Sequence, residues 1–133
     1  MRVFLDTNVL ASALMGRGLC RDLLDRLAID HEVLLGAPVR EELDRVAADK
    51  LRVPSPLRAW MNRALDEFTQ VAAAPSVPPG IPDPDDAPII ACALTGRADL
   101  FVTGDKALLA VKTVRGMPIV SPRECWETLF LPH

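Results

Sequence analysis

Histidine is nearly missing from this chain of 133 residues, with His31 and His133 the only two. So little imidazole argues against a zinc centre and against Ser-His or Cys-His catalysis. Cysteine is almost as scarce. Cys20, Cys92 and Cys125 are widely spaced, odd in number and without a C-x-x-C pair. Buried free thiols are therefore expected, rather than ligands or disulfides. No apolar run approaches the ~20 residues of a membrane helix. The N-terminus has no signal-peptide layout and opens almost at once on a strand-like Arg2-Val3-Phe4-Leu5. The expected setting is the cytoplasm, with no membrane partner. Positive charge is not in excess either: 15 Lys and Arg stand against 18 Asp and Glu, a net −3. That balance gives no global attraction to nucleic acid, so binding a polyanion would need a local basic surface together with a metal. Between positions 40 and 63, Arg40, Arg45, Lys50, Arg52, Arg58 and Arg63 face Glu41, Glu42, Asp44 and Asp49. This excess of six over four is weak, and ordinary solvated helix faces explain it at least as well as an RNA track.

Half the residues are hydrophobic and a quarter charged, as in a soluble globular protein. The length suits one domain over 1–133, enough to bury roughly two-thirds of the unfolded surface. Short apolar runs alternate with helical ones, which predicts βαβ units and a mainly parallel sheet. The strands expected are Arg2 to Leu5, Glu32 to Leu35 ended by Gly36, Leu100 to Thr103, and Pro118 to Val120. Helical periodicity runs through Val9, Leu10, Ala13 and Leu14, and resumes after Gly16-Arg17-Gly18 with Leu19, Leu23, Leu24 and Leu27. A further helix starts at about Pro38, with Val39, Leu43 and Val46 inside. Another is capped by Ser55, opens with Pro56 and runs to Phe68, with Trp60 and Phe68 expected in the core. Five prolines between Pro75 and Pro84 mark an extended stretch. Asp86 then opens a helix through Ile89, Ile90, Ala93 and Leu94, and Pro122 to Leu129 closes the chain.

Four acids stand out against this background. Asp6 ends the first strand, Glu42 and Asp86 are expected in the first turns of helices, and Asp105 follows Phe101-Val102-Thr103-Gly104. In a parallel sheet all strand C-termini share one edge, where ligands bind, so these distant acids are expected to converge. Carboxylates gathered together repel one another and persist only with protons or a cation among them. Mg²⁺ and Mn²⁺ prefer carboxylate and water oxygens, can polarise a phosphoryl oxygen and can lower the pKa of bound water. The chemistry expected is hydrolysis of a phosphodiester by water. Thr7 and Asn8 can cap a helix or hydrogen-bond a carboxylate, and Thr103 can bond Asp105 or simply end its strand. Lys106 can reach a phosphate, although a solvated lysine is the commoner outcome. Glu41, next to Glu42, points elsewhere.

At these residues the chain resembles the PIN-domain ribonucleases, especially the bacterial toxin-like branch with VapC-type toxins. Val3-Phe4-Leu5-Asp6-Thr7-Asn8-Val9-Leu10 is similar to the first acidic motif, and Glu42-Leu43 to the second. Asp83-Pro84-Asp85-Asp86 with Ile89-Ile90 and Ala93 is similar to the third. Val102-Thr103-Gly104-Asp105-Lys106, followed by Leu108-Leu109, is similar to the fourth. The resemblance spans about Val3 to Trp126. It implies an α/β fold with about five parallel strands flanked by helices, and a Mg²⁺- or Mn²⁺-dependent endoribonuclease. Asp6, Glu42, Asp86 and Asp105 would be its metal-binding and catalytic acids. It further implies RNA as substrate, an antitoxin protein as partner in many cases, and frequently a homodimer. Pro88 bears on the third motif. With Asp86 as N-cap it sits harmlessly in the first turn, whereas a helix begun at Pro84 would be strained and let Asp83 or Asp85 share the role.

Two other classes fit parts of the pattern. Phosphoaspartyl enzymes also end a first strand on Asp, but the phosphatase motif has a second acid where this chain has Asn8. A receiver's lysine is poorly matched by Lys106. A non-catalytic PIN-like module binding RNA or protein would be expected to have lost one or more acids, and all four are present.

Overall fold

Each apolar run expected to be a strand is one in the computed structural model, which describes residues 1–132. His133 lies outside them. In chain order the elements are β1 (Arg2–Leu5), α1 (Thr7–Met15), α2 (Leu19–Asp30), β2 (Glu32–Gly36) and α3 (Ala37–Arg45). A π-helical turn (Val46–Lys50) follows, then α4 (Ser55–Leu65), β3 (Thr69–Val71), α5 (Ala87–Thr95) and β4 (Leu100–Val102). The remainder is α6 (Lys106–Val111), β5 (Thr113–Val114), β6 (Met117–Val120) and α7 (Pro122–Phe130). The sheet order is β3-β2-β1-β4-β6-β5, with every neighbouring pair parallel except β5 and β6. The fold is thus the α/β architecture expected, five parallel strands with a two-residue antiparallel edge added.

The middle of the sheet is covered on both faces, and its strands are continuous apolar runs for that reason. Val3, Phe4, Leu5, Leu34, Leu35, Phe101 and Val102 have no exposed surface. Phe4 and Phe101 lie side by side in the parallel register and stack at 5.4 Å between ring centroids. Gly36 ends β2 because nothing larger fits: a Cβ there would lie 2.7 Å from the Phe4 ring and 2.9 Å from Cys92 Sγ. Cys92 and Cys125 are buried free thiols, and Cys20 is partly covered.

Proline punctuates the helices where its missing N–H does no harm. Pro38, Pro56, Pro88 and Pro122 fall in the first two positions of α3, α4, α5 and α7. In α7 Ser121 and Glu124 also form a reciprocal capping box.

Three local expectations change. Ser55 does not cap α4: Pro54 precedes the helix, and the Ser55 hydroxyl accepts from Arg58. The helix stops at Leu65, so Phe68 belongs to the turn before β3. Trp60 is about half exposed, because the buried face of α4 is Met61 and Leu65 and its neighbour at position 60 turns away.

Between β3 and α5, residues 72–86 form neither helix nor strand, and this proline-rich stretch ends at Asp86. No helix among the described residues is long and apolar enough to cross a membrane.

Candidate active site

Parallel strands deliver the acids to one edge of the sheet. Asp6 is the residue after β1, Asp105 lies three residues past the end of β4, and α3, carrying Glu42, begins directly after β2. Glu42 is the sixth residue of α3, in its second turn rather than the first. Asp86 immediately precedes α5.

Asp6 is 5 % exposed, and it rather than Thr7 or Asn8 caps α1. Its Oδ1 accepts from the Thr7 backbone N–H at 2.8 Å, and its Oδ2 from the Thr103 hydroxyl at 2.8 Å. Burial raises its pKa above the ordinary value, the two hydrogen bonds pull it back in part, and the charge of Asp105 raises it further. Thr103, fully buried, also accepts from the Asp105 backbone N–H at 3.1 Å through the same hydroxyl oxygen. One hydroxyl thus fastens the acid of β1 to the backbone that carries the acid of β4.

Asp105 caps α6, its Oδ1 accepting from Ala107 and Leu108 N–H at 2.8 and 3.1 Å. Among the described residues its Oδ2 has no hydrogen-bond partner. Asn8 turns to the loop before it, where its Oδ1 accepts from Gly104 N–H at 3.2 Å. The Thr7 hydroxyl is buried without a hydrogen-bond partner among the described residues. Lys106 is exposed.

Asp86 is the N-cap position of α5, which leaves Pro88 in the first turn, but its side chain caps nothing. Neither the Asp86 nor the Glu42 carboxylate accepts a hydrogen bond or forms an ion pair among the described residues. Burial, then the charges of Asp6, Asp83, Asp105 and Glu42, push the Asp86 carboxyl up to about 6. All four expected site acids, with Asp83, are therefore close enough to feel one another at Asp86. Asp83 has a local task as well, its Oδ1 accepting from Asp85 N–H at 2.9 Å. Among the described residues, no three His, Cys, Asp or Glu side chains already stand at the separations of a closed metal cage.

Glu42 and Asp86 open on a cleft of about 640 Å³, also lined by Arg45, Asp49, Lys50, Asp83 and Asp85. Arg45, Asp49 and Lys50 had no assigned place in the site. A signal for Arg45 was available, since it falls three residues after Glu42 on the same helix.

The donor set is all carboxylate, with a buried hydroxyl beside it and neither thiol nor imidazole. That fits a hard divalent cation and not a soft one. Residues 2–107 match the family model of the PIN domain. The chain belongs to the PIN-domain family. As a PIN domain it is similar in structure to a chain of VapBC2 from Rickettsia felis, solved bound to a DNA fragment from their promoter. That likeness has TM-score 0.67 and 14 % identity, and covers 91 % of this chain and 98 % of the other. It is also similar to the PIN domain endonuclease Utp24, with TM-score 0.52 and 18 % identity, covering 90 % and 84 %. At such identities the likeness concerns the fold. A search of curated protein sequences finds no match.

Proposed function

We propose that this PIN domain is a divalent-metal-dependent endoribonuclease, with Asp6, Glu42, Asp86 and Asp105 as its metal-binding and catalytic acids. The observation that carries the reading is negative charge gathered at one sheet edge, where four elements bring acids that form no ion pair among the described residues. Carboxylates whose titration is shifted by burial and by one another cluster at functional sites.

Mg²⁺ or Mn²⁺ bound there would polarise the scissile phosphoryl group and make water a better nucleophile. The chain's part is to hold the acids. Thr103 and the Thr7 N–H fix both oxygens of Asp6, and the start of α6 fixes one oxygen of Asp105. Glu42 and Asp86 keep both oxygens available, and Asp86 is ionised at neutral pH, above its pKa of about 6. Water then adds to phosphorus and the bond to one bridging oxygen breaks. That oxygen leaves with a proton, and no covalent enzyme intermediate is needed.

The resemblance to VapC-type toxins and the likeness to a VapBC2 chain support a toxin role, with an antitoxin protein as partner. On this reading the protein acts in the cytoplasm as a homodimer. The likeness to Utp24, an endonuclease, favours an RNA-processing enzyme as the second reading.

Incubating structured and single-stranded RNA with the purified protein tests the activity. Cleavage in Mg²⁺ or Mn²⁺, abolished by EDTA and by Asp105→Asn, is expected. Intact RNA with every metal, or undiminished cleavage by the variant, overturns it. Growth arrest on expression, relieved by the product of a neighbouring gene, separates toxin from processing enzyme.

A further inference from the structure

The acidic cleft has a cationic lip. Arg45 ends α3 and Lys50 ends the π-helical turn behind it, and both line the cleft that holds Glu42 and Asp86. Five residues apart, they would point about 140° away from each other around an α-helix. The backbone here is wound differently: Leu51 N–H bonds Val46 C=O at 3.0 Å, an i→i+5 closure. A π turn advances less per residue, which brings positions 45 and 50 towards the same side. Such turns are found frequently at functional sites.

Neither cation is used by the fold. Arg21–Asp25, Arg26–Asp30 and Arg123–Glu127 all close ion pairs at i,i+4. Arg45 has Glu41 four residues before it and Asp49 four after, yet pairs with neither, and among the described residues Lys50 is unpaired too. Both side chains are exposed. Two cations beside the acids, unpaired among the described residues, cannot be ligands of a metal ion, but they match successive backbone phosphates next to a scissile one. A guanidinium suits two phosphate oxygens at once, and an ammonium serves as a point charge.

We infer that Arg45 and Lys50 bind backbone phosphates of a single-stranded RNA on one side of the cleavage point, holding the strand beside the acids. This rests on the nuclease reading and adds the residues that position its substrate.

Fluorescence anisotropy of a labelled single-stranded RNA in Ca²⁺, over a series of salt concentrations, measures it for the wild type, Arg45→Ala, Lys50→Ala and Arg45→Lys. Each alanine variant is expected to weaken Kd about tenfold and to lower the salt slope by about 0.7, the share of one phosphate on a single strand. Arg45→Lys should keep the slope. Arg123→Ala, on the exposed face of α7, should change neither. In Mn²⁺ the alanine variants should raise KM for cleavage and leave kcat within about twofold. Unchanged slopes and KM overturn the inference, as does a loss of metal affinity with no change in slope, which would make the cations mere counter-charges for the acids. If the wild type cleaves no RNA, the nuclease reading fails by itself, and the slopes still decide whether these two residues bind phosphate.

Discussion

The two ends of the sheet carry comparable charge in opposite arrangements. At the N-terminal ends of the strands, a cavity of about 550 Å³ is lined by Arg2, Asp30, His31, Glu32, Thr69 and Asp99 among others. Much of its charge has a partner. Arg2 pairs with Glu32, gives two N–H groups to Gly96 C=O, and places its own backbone N–H 2.7 Å from Asp99 Oδ2. Thr69 completes Glu32 at 2.8 Å. At the C-terminal ends the cleft is similar in size, but its acids have chiefly one another. Cavity size does not separate the two ends, and charge satisfaction does. One end is finished as architecture, and at the other Glu42 and Asp86 have no hydrogen-bond or ion-pair partner among the described residues.

The sharpest way to break this contrast is at Asp6. Asp6→Asn should reduce RNA cleavage at least about 100-fold, more than loss of a mere supporting group would, as single-turnover assays in Mn²⁺ can show. Thr103→Val keeps the shape and removes the hydroxyl that holds Asp6 Oδ2. Metal affinity by titration calorimetry should fall about 10- to 100-fold. At the satisfied end the outcome reverses. Arg2→Ala should destabilise the fold by about 1–2 kcal/mol in urea melts, the value of a half-exposed pair with its hydrogen bonds, and leave kcat untouched.

The smallest effect is one of pH. Asp86 has its folded pKa raised from 3.8 to about 6, so between these values the folded state binds more protons than the unfolded chain. Its contribution to metal-free stability is therefore present below about pH 4 and lost as pH rises through about 6. Asp86→Asn should gain on the wild type across that window in metal-free melts. Mn²⁺, which binds the ionised acid, should reverse the order and bind more weakly below about pH 6.

Much of this was legible because parallel topology makes strand order irrelevant to where strand ends lie. An acid after β1 and another after β4 had to meet at one edge, whichever neighbours those strands took. β3 and β5 were not legible. They are three and two residues long, at the sheet edges, where a run such as Thr69-Gln70-Val71 carries no alternation to read. Trp60 was misplaced because apolarity alone does not say which side of α4 meets the core. Within the proposed site, the acids could be picked out by their place after strands and before helices, but not their hydrogen bonds. That Thr103 holds Asp6 while Asn8 holds Gly104 depends on sub-ångström positions of a turn. Arg45 and Lys50 were visible as charges, but their joint placement depends on a π turn that periodicity does not reveal.

The single hydroxyl joining Asp6 to the Asp105 backbone makes these two acids one fixed jaw of the pocket. The fixed jaw is set by two neighbouring strands and cannot open without tearing the middle of the sheet. Asp86 closes fifteen residues with no ladder of their own, but its carbonyl accepts from Ile89 and Ile90 N–H at 3.1 and 3.0 Å at the start of α5, and Glu42 arrives on a separate helix. An ion bound as proposed would meet Asp6 and Asp105 in a geometry already set by the sheet, whereas the Glu42 and Asp86 carboxylates, without partners among the described residues, would supply the adjustment.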